Sequence, residues 1–290
     1  MGLFTRRRRA QAVCRLLADS ELAQIRDTRG FDHGVIIDSG HGQMTLISTV
    51  TADDGGDYAA MISAMAADAD LVSLTRVTED NGRYLSATFA ATEKTERKHR
   101  EEFLSTRAVK AENFMHTAAA AGIRLEPVDK AGMSALAARV WPAGAGGQQW
   151  PPVADDVEET VSTITCLPSD MPVNIVFEVD VDAVEALDEF LDELAVETGV
   201  LRSSVVVRPP LAEAAEPEST GRRCALVTVR GANVEDAEDT AAELVSGLSP
   251  LVRLRVHRML GRQQAGLLAG AGLGVLGWQQ INLTGKPVAA

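Results

Sequence analysis

Val173-Asn174-Ile175-Val176-Phe177-Glu178-Val179 decides how the chain is read. The run is rich in Val, Ile and Phe, which fits a strand. The pattern then switches to helical spacing over Asp182–Thr198. Val184, Leu187, Leu191 and Leu194 fall on one face, while Glu185, Asp188, Glu189, Asp192 and Glu193 cover the rest. Asp182 and Glu185 stand at capping-box spacing, and Gly199 is placed to stop the helix. Onward from there, Ser203–Arg208 reads as a strand ended by Pro209-Pro210, and Ala212–Thr220 as a loop. Cys224–Arg230 follows as a strand, Val234–Leu248 as a helix and Leu251–His257 as a strand. The order is β-α-β-β-α-β, the ferredoxin-like order.

Working back towards the N-terminus, the same order recurs. Gly34–Asp38 and Gln43–Val50 are apolar and β-branched, and Ser39-Gly40-His41-Gly42 between them has turn chemistry, so they predict a hairpin. Tyr58–Ala69 has helical spacing, Leu71–Thr78 and Arg83–Ala91 are strand-like, and Asn81-Gly82 is a turn signal between them. Glu93–Ala121 predicts a long helix stopped by Gly122, Ile123–Val128 a short strand and Gly132–Val140 a second helix. The fold class expected is α/β (α+β): two mixed α/β units, each of ferredoxin-like order, plus a C-terminal Gly-rich helix. The expected boundaries are a basic N-terminal segment over 1–30, a first unit over 31–140, a linker over 141–172, a second unit over 173–258, and a C-terminal helix and tail over 259–290. The linker is placed by Trp141-Pro142, Gly146-Gly147 and Trp150-Pro151-Pro152, with one strand expected at Val161–Cys166.

Composition narrows the function. Of 290 residues, 46% are hydrophobic and 24% charged, so the chain can bury a core. The net charge of −13 argues against nucleic acid as a partner, because phosphate neutralisation needs a basic stripe over the folded part. Arg6, Arg7, Arg8 and Arg9 form a basic run that reads either as a solvated tail or as a contact for an anionic membrane face or acidic partner. Cys14, Cys166 and Cys224 are scattered and odd in number, which implies a reducing, cytoplasmic setting and neither a disulfide scaffold nor a zinc site. No signal peptide is expected, and Ala265–Trp278 is too short and too mildly apolar to span a bilayer.

Motifs with chemical potential are weak in context. Gly272-x-Gly274-x-x-Gly277 matches a dinucleotide fingerprint by letter, but it lacks the preceding strand and the later acid. Asp180-Val181-Asp182 resembles a metal-binding D-x-D but reads first as a strand end followed by a helix cap. His33, Asp38 and His41 surround one turn without a ligand frame. No cofactor, metal or catalytic residue is expected. The glycines and alanines of Gln263–Trp278 predict a helix that holds only when packed, on its own sheet or on another protein.

Several stretches together resemble the cytosolic part of EccE-type subunits of the actinobacterial type VII (ESX) secretion membrane complex. They are the hairpin GVIIDSGHGQMTLISTV, the passage AAAAGIRLEPV followed by MSALAARVW, and an acidic-linked second α/β half. Arg258-Met259-Leu260-Gly261-Arg262-Gln263, followed by Ala265–Gly274, looks like the family's terminal Gly-Arg-Gln helix and Gly-rich tail. The resemblance covers Arg26 to Trp278. It implies a non-catalytic structural or adaptor component whose partners are other subunits of the complex. It also implies a cytoplasmic place with peripheral contact to the inner membrane, since the two spans usual in such subunits are not found in the sequence. Candidate interface residues are Gly261, Arg262, Gln263, Gly270, Gly274 and Trp278, with Arg6 to Arg9 as a membrane or partner contact. Two other classes stay open: a metal-dependent glycosyltransferase-like enzyme using Asp180 and Asp182, and a ferredoxin-like regulatory protein binding a small molecule.

Overall fold

A computed structural model describes residues 8–9, 20–53, 56–66, 68, 70–91, 100–140, 150, 156–167, 172–180, 187–195, 197, 199–208 and 222–275. The first half contains β1 (Arg8–Arg9), β2 (Ser20–Arg26), β3 (Asp32–Asp38), β4 (Gln43–Ala52), α1 (Tyr58–Ala66), β5 (Leu71–Glu79), β6 (Gly82–Ala90), α2 (Arg100–Ala120), β7 (Arg124–Pro127) and α3 (Lys130–Val140). The second contains β8 (Asp156–Glu159), β9 (Ile164–Leu167), β10 (Val173–Val179), α4 (Leu187–Ala195), β11 (Val200–Arg208), β12 (Arg222–Gly231), α5 (Val234–Gly247), α6 (Pro250–Arg253), β13 (Val256–Arg258) and α7 (Gln263–Ala269).

The 13 strands among the described residues belong to one sheet, in the order β1-β8-β9-β10-β12-β11-β5-β6-β4-β3-β2, with β13 beside β10 and β7 beside β4. The two halves are therefore joined strand to strand. β11 pairs antiparallel with β5, in register from Ser203↔Thr78 to Val207↔Leu74. β4 and β10 each divide one edge between two partners. β4 pairs with β3 over Gln43–Leu46 and with β7 over Ser48–Ala52. β10 repeats the arrangement, with β9 at Val173 and Asn174 and β13 from Phe177 to Val179.

Both faces of the sheet are buried, which is why β10 reads as a continuous apolar run and not an alternating one. On the first face, Ile175, Phe177, Val205, Val227 and Val229 pack on Leu191 and Leu194 of α4 and on Ala237, Ala241 and Leu244 of α5. Met44, Leu46, Leu85 and Phe89 pack likewise on Met61 and Met65 of α1 and on Ala111 and Phe114 of α2. Ile62 touches both clusters, so the two cores are continuous. On the second face, Ile36, Ile47, Val176 and Leu226 meet Met133, Ala137 and Val140 of α3 and Leu267, Leu268, Leu273 and Val275 of the C-terminal segment.

Several expectations are corrected. The 141–172 stretch is not only a linker: β8 and β9 extend the sheet, and Trp150 Nε1 donates to Ser20 Oγ at 3.1 Å. The acids Asp156, Glu158 and Glu159 hide a strand of the kind found near sheet edges, where charge is the usual guard. β2 lies inside the segment read as a basic lead-in and pairs with β3 from Ser20↔Asp38 to Arg26↔Asp32. Leu251–His257 is not one strand. Ser249 Oγ accepts from Val252 N and Pro250 opens α6, which leaves only Val256–Arg258 as strand. The helix expected over Gln263–Trp278 ends at Ala269, because Gly272 (φ 67°) and Gly274 (φ 81°) turn the chain out of helical conformation. Residues 276–290 lie outside the described residues.

The shared sheet predicts shared stability. Val206 of β11 pairs with Thr75 on one side and Cys224 on the other. Val206→Pro removes a donor in mid-sheet and should cost about 3 kcal/mol or more. Urea unfolding followed by circular dichroism should then show one transition at lower urea. A half that kept the wild-type midpoint would mean that the two halves fold apart.

Candidate functional site

The Gly-rich C-terminal segment, expected to be an interface, is packed against the chain's own sheet. Val176 of β10 pairs with neither edge partner; Met259 N donates to its carbonyl at 3.0 Å, and Gln263 fills the rest of the gap. Gln263 Oε1 accepts from Val176 N at 2.6 Å, and its Nε2 donates to Val176 O at 3.2 Å and to Met259 O at 3.1 Å. This side chain is fully buried and takes the part of a strand neighbour. A Cβ on Gly266 would lie 2.4 Å from Met259 Sδ, one on Gly270 would lie 3.0 Å from Ser204 Oγ, and one on Gly274 would lie 2.1 Å from Thr45 Oγ1. The glycines admit the sheet and not a foreign backbone. Gly261 turns the chain at φ 71° and is exposed. Arg262 Nη2 lies 3.7 Å from Glu178 Oε2, so its charge faces a group on the same chain. Burial raises the Glu178 carboxyl above its usual range, and Arg262 opposes that shift. Trp278, Arg6 and Arg7 lie outside the described residues. Arg8 and Arg9 form β1 and pair with Glu159 and Glu158 of β8.

Polar clusters hold the seam between the halves from both faces. On the first face, Arg83 bonds Asp53 of its own half and reaches Asp192 of α4 at 2.8 Å. Thr78 Oγ1 donates to Asp192 at 3.1 Å, and Arg76 lies over the Tyr58 ring at 5.1 Å. Burial first, then the Asp53 charge, pushes the Tyr58 hydroxyl up to about 12. On the second face, Arg202 is 2% exposed, and its Nη2 stands 2.8 Å from Glu79 Oε1 across the β5–β11 pairing. Glu79 Oε2 accepts from Arg139 Nη1 at 3.0 Å, which also donates to Tyr84 Oη at 2.8 Å. Arg230 donates to Asn174 Oδ1 and to the carbonyls of Arg139 and Val140. Burial pushes the Arg202 guanidinium down to about 10 against the pull of Glu79, so it stays charged at neutral pH.

The residues with metal-binding or catalytic potential are engaged pairwise. His33 Nε2 is 3.2 Å from Asp27, and His41 Nδ1 is 2.8 Å from Asp38. Asp180 faces Arg255 at 3.3 Å, while Asp182 lies outside the described residues. Among the described residues no three His, Cys, Asp or Glu side chains are placed to hold a metal ion. Cys224 is buried, and burial, with Glu178 adding to it, pushes its thiol up to about 12.

Sequence reasoning missed a groove in the helix layer of the second half. It has a volume of about 540 Å³, a floor of Phe190, Leu194, Leu244, Leu248 and Val252, and a rim with Glu193, Glu197 and Glu243. α5 ends there on Leu248, and Arg253 donates to the Ser246 and Leu248 carbonyls. Beside it, Leu251 is 79% exposed and Leu254 70%. The signal was present in Ser249-Pro250, which opens α6 where the sequence reading began a strand at Leu251.

No family model matches the chain, and no curated protein matches it by sequence. One solved structure, a "putative monooxygenase" from Lactobacillus acidophilus NCFM, aligns over 74% of this chain and 85% of its own, at 11% identity and a TM-score of 0.18. A likeness at that level carries no argument about fold or activity.

Two outcomes test this geometry. Gly270→Leu and Gly274→Leu should unfold the isolated chain or lower its melting temperature by about 10 °C or more, as core overpacking does. In a chain with Cys14 and Cys166 replaced by Ser, Cys224 should resist alkylation by iodoacetamide at pH 8 until urea unfolds the protein. Rapid native labelling would contradict its burial.

Proposed function

We propose that the chain is a non-catalytic adaptor of a type VII (ESX-like) secretion apparatus that binds its partner through the acidic groove on the second half. One observation carries the docking part of this reading: an apolar floor rimmed by Glu193, Glu197 and Glu243, with Leu251 and Leu254 exposed alongside. No ion pair engages those three glutamates among the described residues. A ligand with an apolar face and flanking Lys or Arg would bury the leucines and neutralise the rim. The occupant proposed is a basic amphipathic helix of a partner subunit. The secretion part rests on the sequence stretches that resemble EccE-type subunits.

The finer fold belongs to the same proposal. The strand orders β7-β4-β6-β5 and β13-β10-β12-β11 follow from the pairings, and each half supplies two helices to the first face. That connectivity supports two ferredoxin-like units joined at their second strands. No helix among the described residues is long and apolar enough to cross a membrane. The contact proposed with the inner membrane is peripheral and runs through Arg6–Arg9 or through partner subunits.

The test is capture from native membranes, with bound proteins identified by mass spectrometry. The wild-type chain should retain subunits of the secretion complex. Glu193→Lys, Glu197→Lys and Glu243→Lys together should lose them while the melting temperature changes by less than about 3 °C, since the three side chains are on the surface. Unaltered capture by the triple variant would remove the groove from the account, and capture of no secretion subunit by wild type would remove the secretion reading. The basic run is tested separately on anionic vesicles, where each arginine close to the surface contributes about 1 kcal/mol. Changing Arg6 to Arg9 to Gln should abolish salt-sensitive binding.

A further inference from the structure

We infer that the seam between the two halves contains a site for one small monovalent anion of the halide class, bound by Arg202, Tyr84 and Ser86. The place is a narrow cavity of about 10 Å³ on the second face, lined in part by Val77, Glu79, Tyr84, Ser86, Arg202 and Gly272. That volume holds one water or one monatomic ion and nothing larger.

Charge selects between those two occupants. Arg139 and Arg202 share the single carboxylate of Glu79, one oxygen each. Two guanidinium groups against one carboxylate leave more positive than negative charge beside the cavity, and that excess is costly at Arg202, which is buried. Hydrogen bonding points the same way. Arg202 Nε has no acceptor among the described residues, and its Nη2 lies near Glu79 as a charge contact outside directed hydrogen-bond geometry. Tyr84 Oη accepts from Arg139, which leaves its own proton to donate. Ser86 brings a further hydroxyl to the cavity. Glu79 also faces the space, but both of its oxygens are engaged by arginine. Donors without acceptors, surplus positive charge and room for one atom describe a halide site.

The position gives the ion a structural effect. Glu79 and Tyr84 come from the first half, Arg202 from the second, and Gly272 from the C-terminal segment. Gly272 stands at φ 67°, and a Cβ there would lie 3.1 Å from Val77 Cγ2, so the segment closes over the site without filling it. An ion bound only by the folded chain stabilises it in proportion to the logarithm of ion concentration above the dissociation constant.

The experiment uses the full chain with sodium chloride, sodium bromide and sodium gluconate at matched ionic strength. Chloride and bromide should raise the melting temperature by about 3 °C between about 10 mM and about 500 mM, with gluconate giving less than about 1 °C. Tyr84→Phe and Ser86→Ala, which keep the packing, should each remove at least about half of the halide-specific rise. Crystals grown in bromide should show an anomalous peak within about 3.5 Å of Arg202 Nε. Equal stabilisation by all three salts, or a halide effect that both variants keep, would overturn the site. A cavity holding only water in the bromide crystals would overturn it as well.

Discussion

Five residue pairs, from Ser203↔Thr78 to Val207↔Leu74, join a six-stranded and a seven-stranded part into one sheet. Much of the remaining structure answers the consequence: a sheet this wide has two faces to cover. The first is covered by four helices, two from each half, in the usual manner of layered α/β folds. Among the described residues, the helical cover of the second is α3 and the C-terminal segment. A short helix with turns after it must therefore lie flat against the strands, and glycine is the residue that permits it. Gly266, Gly270, Gly272 and Gly274 each bring backbone to within a side chain's thickness of the sheet. Gln263 completes the arrangement by bonding the one stretch of β10 that neither β9 nor β13 reaches.

The seam also concentrates charge. Asp192 of α4 meets Arg83 and Arg76 on one face, and Arg202 meets Glu79 on the other. Each contact crosses from one half to the other. Removing Glu79 would leave the charge of Arg202 buried and uncompensated, which costs more than the intact pair contributes. The halves are thus fixed in register by chemistry as well as by backbone pairing. The partner-binding surface proposed on the outer side of α4 and α5 then sits on a rigid base.

Much of the local structure was legible in the sequence. β10, α5, the β3–β4 hairpin and the Asn81-Gly82 turn follow from periodicity and turn chemistry, and α3 from its apolar spacing. The long-range arrangement was not legible. Nothing local in Leu71–Glu79 or Val200–Arg208 says that they pair with each other, because pairing of distant strands depends on what closes the rest of the sheet. The acids of β8 masked a strand, and Pro250 with Ser249 diverted Leu251 from strand to helix. The C-terminal glycines were recognised as packing residues, but the sequence left open which surface they met. The groove escaped notice because it is formed by α4, α5 and α6 together, and no one of them shows it alone.

Hydrogen exchange tests the central claim, that the β5–β11 seam makes one cooperative unit. Amides of Leu74–Thr78 and Ser203–Val207 should be among the slowest in the molecule, opening only with global unfolding, and Leu267 and Leu268 of the segment on the second face should share that protection. Seam amides that exchange faster than those of β6 and β12, with each half protected on its own scale, would contradict it.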